Sequence, residues 1–275
     1  MIKVVALVEN TAVSSEYGSK HGLSLYVETP KHKILFDLGQ DGLFLQNAKK
    51  KNIDIADIDT VIISHGHKDH GGALNAFMAV NTKAKIYVKK EAFEPHYIKV
   101  FGLPFNVGLD KKLSNQSQIV FSENEMQIDD ELLLFSDVKE NPYPLKSNGV
   151  LYTKRHGRFV LDDFRHEQNL VIGVEGKTVL VSGCSHSGIV NIQNKAEKLI
   201  NNKISTVIGG FHLYNPPTKK YENIDVIDGI ANELVATQSS YYTCHCTGIK
   251  AFERMKGVLG ERLKYLSAGE ELIIL

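Results

Sequence analysis

The segment "DTVIISHGHKDHGG" (residues 59–72) constrains this chain more than any other. Its β-branched apolar run reads as a buried strand. The strand delivers His65, His67, Asp69 and His70 into a short loop that ends at two glycines. Such strand-end loops are where a rigid scaffold holds reactive groups. In an extended stretch His65 and His67 face the same way, because side chains repeat every two residues, so both imidazoles can grip one ion. Asp69 and His70 fall where the loop turns into a helix opening at Gly71–Gly72, placed to hold a second ion beside the first. Asp69 could instead cap that helix. Two histidines and one carboxylate around an ion leave a position open for water, which is the pattern of a catalytic site.

Strands alternate with helices on both sides of this loop. "KVVALVE", "LSLYVET" and "HKILFDLG" read as strands, with a polar loop at 9–22, and "DGLFLQNAKKKNID" and "ALNAFMAVNT" read as helices. The second half restarts the theme with the hairpin "NLVIGVEGKTVLVSGCSH" and the helix "GIVNIQNKAEKLINN". The strand "STVIGGFH", a helix over 221–236, the strand "SYYTCHCTG" and the helix "IKAFERMKGVLGERL" follow. This alternation predicts a layered α/β fold, read as one domain over 1–275. Residues 91–150, rich in Pro, Asn, Ser and Gly, are expected to form an insertion that shapes a pocket.

Four strands therefore end in histidine: at His65, at His186 in "SGCSHSG", at His212 in "GGFHLYN" and at His245 in "CHCTG". His212 is expected to face the metals and to contact substrate or transfer a proton. The plainer alternative is a histidine hydrogen-bonded at a loop start. His21 could line the pocket or lie on the surface, while His32, His96 and His156 are expected on the surface. Asp37 in "FDLG" would orient a ligand histidine rather than bind metal. Cys244 and Cys246 bracket His245 and, by strand alternation, should point away from it into packing. The helix opening near Ser187–Gly188 would aim its N–H groups at the site and favour an anionic ligand.

Composition excludes several partners. Lys plus Arg (32) equals Asp plus Glu (32), without a long basic run, so a nucleic-acid footprint is not expected. "MIKVVALVEN" reads as a first strand rather than a signal peptide, and no apolar stretch approaches the roughly 18–20 residues of a membrane helix. Three cysteines, an odd and low count, fit a reducing cytoplasm.

"SHGHKDHGG" resembles the signature of the metallo-β-lactamase superfamily, and "ILFDLG" (34–39) resembles the strand and turn that precede it. The resemblance implies a four-layer αββα sandwich with a two-metal site at its edge. His67 stands at the signature's second position in place of Glu, which departs from the flavodiiron oxidase branch and resembles the hydrolytic, zinc-type branches. "HGLSLYVET" (21–29), "LVSGCSHSGIVNI" (180–192), "IGGFHL" (208–213) and "CHCTG" (244–248) together resemble a cytoplasmic subgroup. That subgroup is the 7,8-dihydropterin-6-methyl-4-(β-D-ribofuranosyl)aminobenzene 5′-phosphate synthase-like group. The likeness runs over nearly the whole chain and is weakest at about 91–150.

Carried over, the resemblance places His65 and His67 on a first metal and Asp69, His70 and His245 on a second. The middle of the pattern departs from it. Where many relatives have a bridging Asp, this chain has Gly183–Cys184 with His186 two residues on, and where many have a His before the hairpin it has "DDFRHEQ" (162–168). His186 is taken as the substitute ligand and His166 as the alternative. Cys184 is expected close to the metals, as a soft thiolate ligand or simply as a small buried residue. The implied activity is that of a metal-dependent hydrolase with two divalent ions, zinc foremost and Mn, Fe or Mg conceivable. Asp69 and His212 would be its catalytic residues, and its substrate a small anionic or phosphorylated, pterin-like metabolite. The alternative is a retained fold that binds or senses such a ligand without turnover. A small molecule is the expected partner, with self-association left open, and neither secreted β-lactamase activity nor RNA processing is expected.

Overall fold

The structure, a computed structural model, describes residues 1–139 and 142–275. Two seven-stranded sheets form the centre. The first runs, in spatial order, Glu271–Ile274, Ile2–Val8, Ser24–Glu28, Lys33–Phe36, Thr60–Ile62, Lys85–Val88 and Ile119–Phe121. The second runs Leu263–Tyr265, Ser240–Thr243, Thr206–Gly209, Lys177–Val181, Gln168–Val174, Leu132–Ser136 and Glu125–Gln127.

Strands covered on both faces need near-continuous apolar sequence, and Ile2–Val8 is buried at every residue but Lys3. One face of each sheet supplies the central core. Val4, Ala6, Leu25, Ile34 and Phe36 meet Leu134, Leu170, Ile172, Val179 and Val181 there. Alternate residues such as Val5, Leu7, Leu35 and Val61 pack outward against Phe44 and Ala48 of the helix Leu43–Lys50 and Leu74 and Phe77 of the helix Leu74–Met78. On the far side Leu180, Val207 and Tyr241 pack against the helices Ile189–Ile200, Ile224–Ala236 and Ile249–Leu259. The layers are helix, sheet, sheet, helix, as expected.

Strand direction positions the site. Lys33–Phe36, Thr60–Ile62 and Lys85–Val88 are parallel neighbours in the first sheet, and so are Lys177–Val181, Thr206–Gly209 and Ser240–Thr243 in the second. Loops leaving the ends of these strands carry Asp37, His65, Cys184, His212 and His245. Ligands of parallel sheets gather outside such strand ends.

Residues 91–150 divide among three sheets. Ile119–Phe121 closes the first large sheet, and Glu125–Gln127 with Leu132–Ser136 closes the second. Among the described strands of this stretch, His96–Val100 and Leu103–Asn106 leave the sandwich, pairing with Leu151–Arg155 and Arg158–Leu161 in a separate four-stranded sheet. That sheet is bound back to the metal-type loop, where the Lys68 N–H donates to the Val107 carbonyl at 2.7 Å. Among the described residues no helix is long and apolar enough to cross a membrane.

Candidate metal centre

Asp37 is the base of the site. It is buried and sits in the left-handed region at φ 60°, an uncommon conformation that functional sites collect. Its Oδ1 accepts the Ser64 N–H at 2.7 Å, and its Oδ2 accepts from Ser64 Oγ at 2.7 Å and His70 Nδ1 at 2.6 Å. Asp37 therefore orients a histidine, as expected. Ser64 Oγ, having given its proton to Asp37, accepts from His65 Nδ1 at 2.9 Å.

The same device recurs at two other histidines. His186 Nδ1 donates to Asn148 Oδ1 at 2.9 Å, and His245 Nδ1 donates to Asn10 Oδ1 at 3.0 Å. An imidazole whose Nδ1–H is held by an oxygen presents Nε2 as the base, which is how ligand histidines are commonly set. His65, His70, His186 and His245 are all prepared in this way.

These prepared nitrogens converge. His65 Nε2 is 3.0 Å from His67 Nδ1, and His70 Nε2 is 3.2 Å from His245 Nε2. Asp69 Oδ2 lies 3.3 Å from His245 Nε2, 3.7 Å from His70 Nε2 and 3.2 Å from His21 Nε2. Ligand atoms of His65, Cys184 and His186 lie within 4.8 Å of one another, and so do those of His70, Cys184 and His245. Ligands about 2.0–2.1 Å from a tetrahedral ion stand roughly 3.3 Å apart, so the spacing suits an ion better than a hydrogen bond between two bases. His186 Nε2 is moreover buried with no partner among the described residues. The donor set fits divalent metal.

Electrostatics agree. Burial, reinforced by neighbouring imidazoles, pushes His65, His67 and His186 well below the ordinary histidine range and so keeps them neutral. Burial also lowers His245. Burial works against charge on His70 too, but the Asp37 and Asp69 carboxylates overcome it and hold His70 up to about 9. Asp37 and Asp69 therefore stabilise positive charge on the His70 ring. Burial opposes ionisation of Asp69, yet His70, His21 and His245 keep it well below the usual carboxylate range.

Other expected residues are placed less uniformly. His212 reaches the pocket, 4.1 Å centroid to centroid from His186, with both ring nitrogens buried and unpartnered among the described residues. His21 is half-buried and lines the pocket. His166 makes different contacts, although its ligand atom also lies within 4.8 Å of those of His67, His96 and Asp162. Its Nδ1 accepts the Gly66 N–H at 2.9 Å, so its proton sits on Nε2, which faces Asp162 Oδ2 at 3.3 Å. It thus grips the peptide between His65 and His67. Gly66 has no room for a side chain, since a Cβ would fall 2.5 Å from the Ala92 carbonyl.

Two surface expectations fail. His96 is buried, with Nδ1 2.8 Å from Asp162 Oδ2 and Nε2 3.1 Å from the Glu91 carbonyl, because the accessory-sheet strand that it opens turns its ring onto Asp162 and His166. His32 is half-buried between Asp59 and Asp129, while His156 is exposed at a hairpin tip. Cys244 packs in the central core as expected, but Cys246 does not share that environment. The strand stops at Thr243, and His245–Thr247 forms a 3-10 turn. Alternation therefore no longer applies, and Cys246 lines the pocket with Cys184 and His212.

The His186 and Ser187 N–H groups, just ahead of the helix Ile189–Ile200, donate to the buried Glu167 at 2.6 and 3.0 Å, while among the described residues no side chain caps the helix itself. Glu167, Asn148 and Asn10 escaped the sequence reading. Glu9 did too, although it accepts the His245 N–H at 2.6 Å. Only the pair Glu9–Asn10, two polar residues ending an apolar strand, left a visible trace.

The cavity holds about 450 Å³. Asp69, Cys184, His186 and His245 line it together with Ile98, Leu151, Pro216 and Pro217, and Lys68 adds a cationic group.

A model of the metallo-β-lactamase superfamily matches residues 18–191, and the chain belongs to that superfamily. Within it, the chain is 30% identical, over 98% of its length and 95% of the relative's, to the 7,8-dihydropterin-6-methyl-4-(beta-D-ribofuranosyl)-aminobenzene-5′-phosphate synthase of Methanocaldococcus jannaschii. Among solved structures it matches Tm1679, described as a metal-dependent hydrolase of the β-lactamase superfamily. The TM-score is 0.81 at 28% identity, covering 100% of this chain and 99% of the other. Zn(2+)-bound PqqB from Methylobacterium extorquens matches at a TM-score of 0.58 and 11% identity, over 99% of this chain and 100% of the other, a likeness of fold alone.

Proposed function

We propose that the chain is a metal-dependent hydrolase-type enzyme with a dinuclear centre, acting on a small anionic or phosphorylated, pterin-like metabolite of the cytoplasm. The observation that carries this reading is the convergence of oriented imidazole nitrogens at the cavity base. His65, His67 and His186 would hold one cation, and Asp69, His70 and His245 the other. A nitrogen, sulfur and carboxylate donor set suits zinc foremost. Bound there, divalent cations supply the Lewis acidity that activates water near neutral pH and polarises a substrate oxygen.

The protein's own groups do the rest. His212, with both ring nitrogens uncommitted in the cavity, holds the leaving group or passes it a proton. Asp69 keeps its carboxylate toward His245 and His70 and orients the attacking water. Lys68 pairs with the substrate's negative charge, and the walls of Ile98, Leu151, Pro216 and Pro217 suit a flat ring. The pterin-like class rests on identity to the archaeal synthase. In this reading the partner is a small molecule, neither nucleic acid nor membrane.

Metal analysis of the fresh protein, before and after dialysis against a chelator, tests the centre. Two equivalents per chain are expected, and fewer than one overturns the reading. Screening the metal-loaded protein against phosphodiesters, lactones and thioesters should reveal turnover that His67→Ala abolishes. Ligand binding without turnover, or turnover indifferent to that substitution, would favour the binding protein instead.

A further inference from the structure

One side chain belongs to both groups of ligands. Cys184 shares a 4.8 Å cluster with His65 and His186, another with His70 and His245 and a third with His212 and Cys246, and its Sγ is 3.1 Å from His70 Nε2. It is 3% exposed. Its place is rigid, because the residue before it is clamped. A Cβ on Gly183 would fall 2.2 Å from Ser64 Oγ, and the Gly183 carbonyl accepts the Gly210 N–H at 2.8 Å. A cysteine kept only for packing belongs among apolar side chains, as Cys244 does in the central core. Cys184 instead faces histidine nitrogens from both halves of the molecule.

We propose that Cys184 is the bridge of the centre, a single thiolate shared by the two cations. This rests on the dinuclear reading and adds to it the identity of the shared ligand. On binding, the thiol proton leaves to solvent and the sulfur lone pairs go to the two ions, with no change in oxidation state. A sulfur bridge also sets the class of metal. Thiolate selects zinc, cobalt(II) or iron(II) over magnesium and manganese, which prefer oxygen.

X-ray absorption on the zinc-loaded full-length protein, paired with metal analysis, tests the bridge. With two equivalents bound, a bridging thiolate gives on average one sulfur per zinc at about 2.3 Å. A sulfur on one ion alone gives half that, and a bystander gives none. Either lower value at two equivalents overturns the bridge and leaves the dinuclear reading standing, whereas failure to bind zinc overturns the dinuclear reading itself. Cobalt(II) loading gives a second measurement. The sulfur-to-cobalt absorption of the wild type should vanish in Cys184→Ser and Cys184→Asp and persist in Cys246→Ser. Cys184→Asp should still hold two ions and should tolerate manganese better than the wild type. Absorption that survives Cys184→Asp and disappears in Cys246→Ser assigns the sulfur elsewhere and sinks the proposal.

Discussion

At the scale of single residues, the site is made by the groups behind the ligands. Asp37 binds Ser64 and His70 directly and, through Ser64, the His65 ring. Replacing Asp37 by Asn removes the charge and should lower metal affinity on the order of 10–100-fold. Competition against a coloured chelator would show it, and an unchanged affinity would contradict the role. His166 makes the opposite prediction. His166→Ala strands the buried Gly66 N–H, which should cost about 1–3 kcal/mol in denaturant unfolding yet leave the metal content of the proposed centre unchanged. Loss of one equivalent would return His166 to the ligand set. Asp37, Ser185, His212 and His245 hold left-handed backbone, as do nine other non-glycine residues among those described.

At the scale of elements, parallel strands carry the loops, and the packing between the two sheets holds the halves of the site in register. Ile208 is fully buried in that interface, on the strand Thr206–Gly209 that leads to His212. Ile208→Ala should destabilise by about 2–5 kcal/mol, read from the urea midpoint. A shift of a few tenths would mean that the sheets are not the clamp described. The accessory sheet works differently. It contributes Ile98 and Leu151 to the cavity wall and, through Val107, a bond to the metal-type loop.

At the scale of the molecule, one half-buried contact ties the sheets together away from the cavity. His32, beside the first sheet, lies 2.9 Å from Asp59 and also contacts Asp129, between the strands Glu125–Gln127 and Leu132–Ser136 of the second. Partial burial opposes its charge, but the two carboxylates prevail and raise its pKa. A raised folded-state value contributes stability that is complete below the unfolded value of about 6.5 and is lost as pH rises through the folded one. The Tm of wild type should therefore exceed that of His32→Gln most clearly near pH 6 and converge with it near pH 9, roughly. A gap that grows with pH would refute the sign.

Sequence alone determined the layered α/β class, the strand ends as the place of chemistry, and the cluster His65, His67, Asp69 and His70. Those features are local, set by side-chain period and by spacing within a dozen residues. Tertiary structure decided what spacing cannot express. It turned the His166 ring to the Gly66 N–H and left His186 Nε2 buried and unpartnered among the described residues. It turned Cys246 into the cavity, because a strand stopped two residues before His245. It turned the His96 side chain inward from a sheet assembled from residues 96–106 and 151–161. It set Glu167 against the N–H groups of His186 and Ser187, just ahead of the helix Ile189–Ile200. Each of these outcomes depends on which distant backbone arrives beside a side chain, and only the packed fold supplies that.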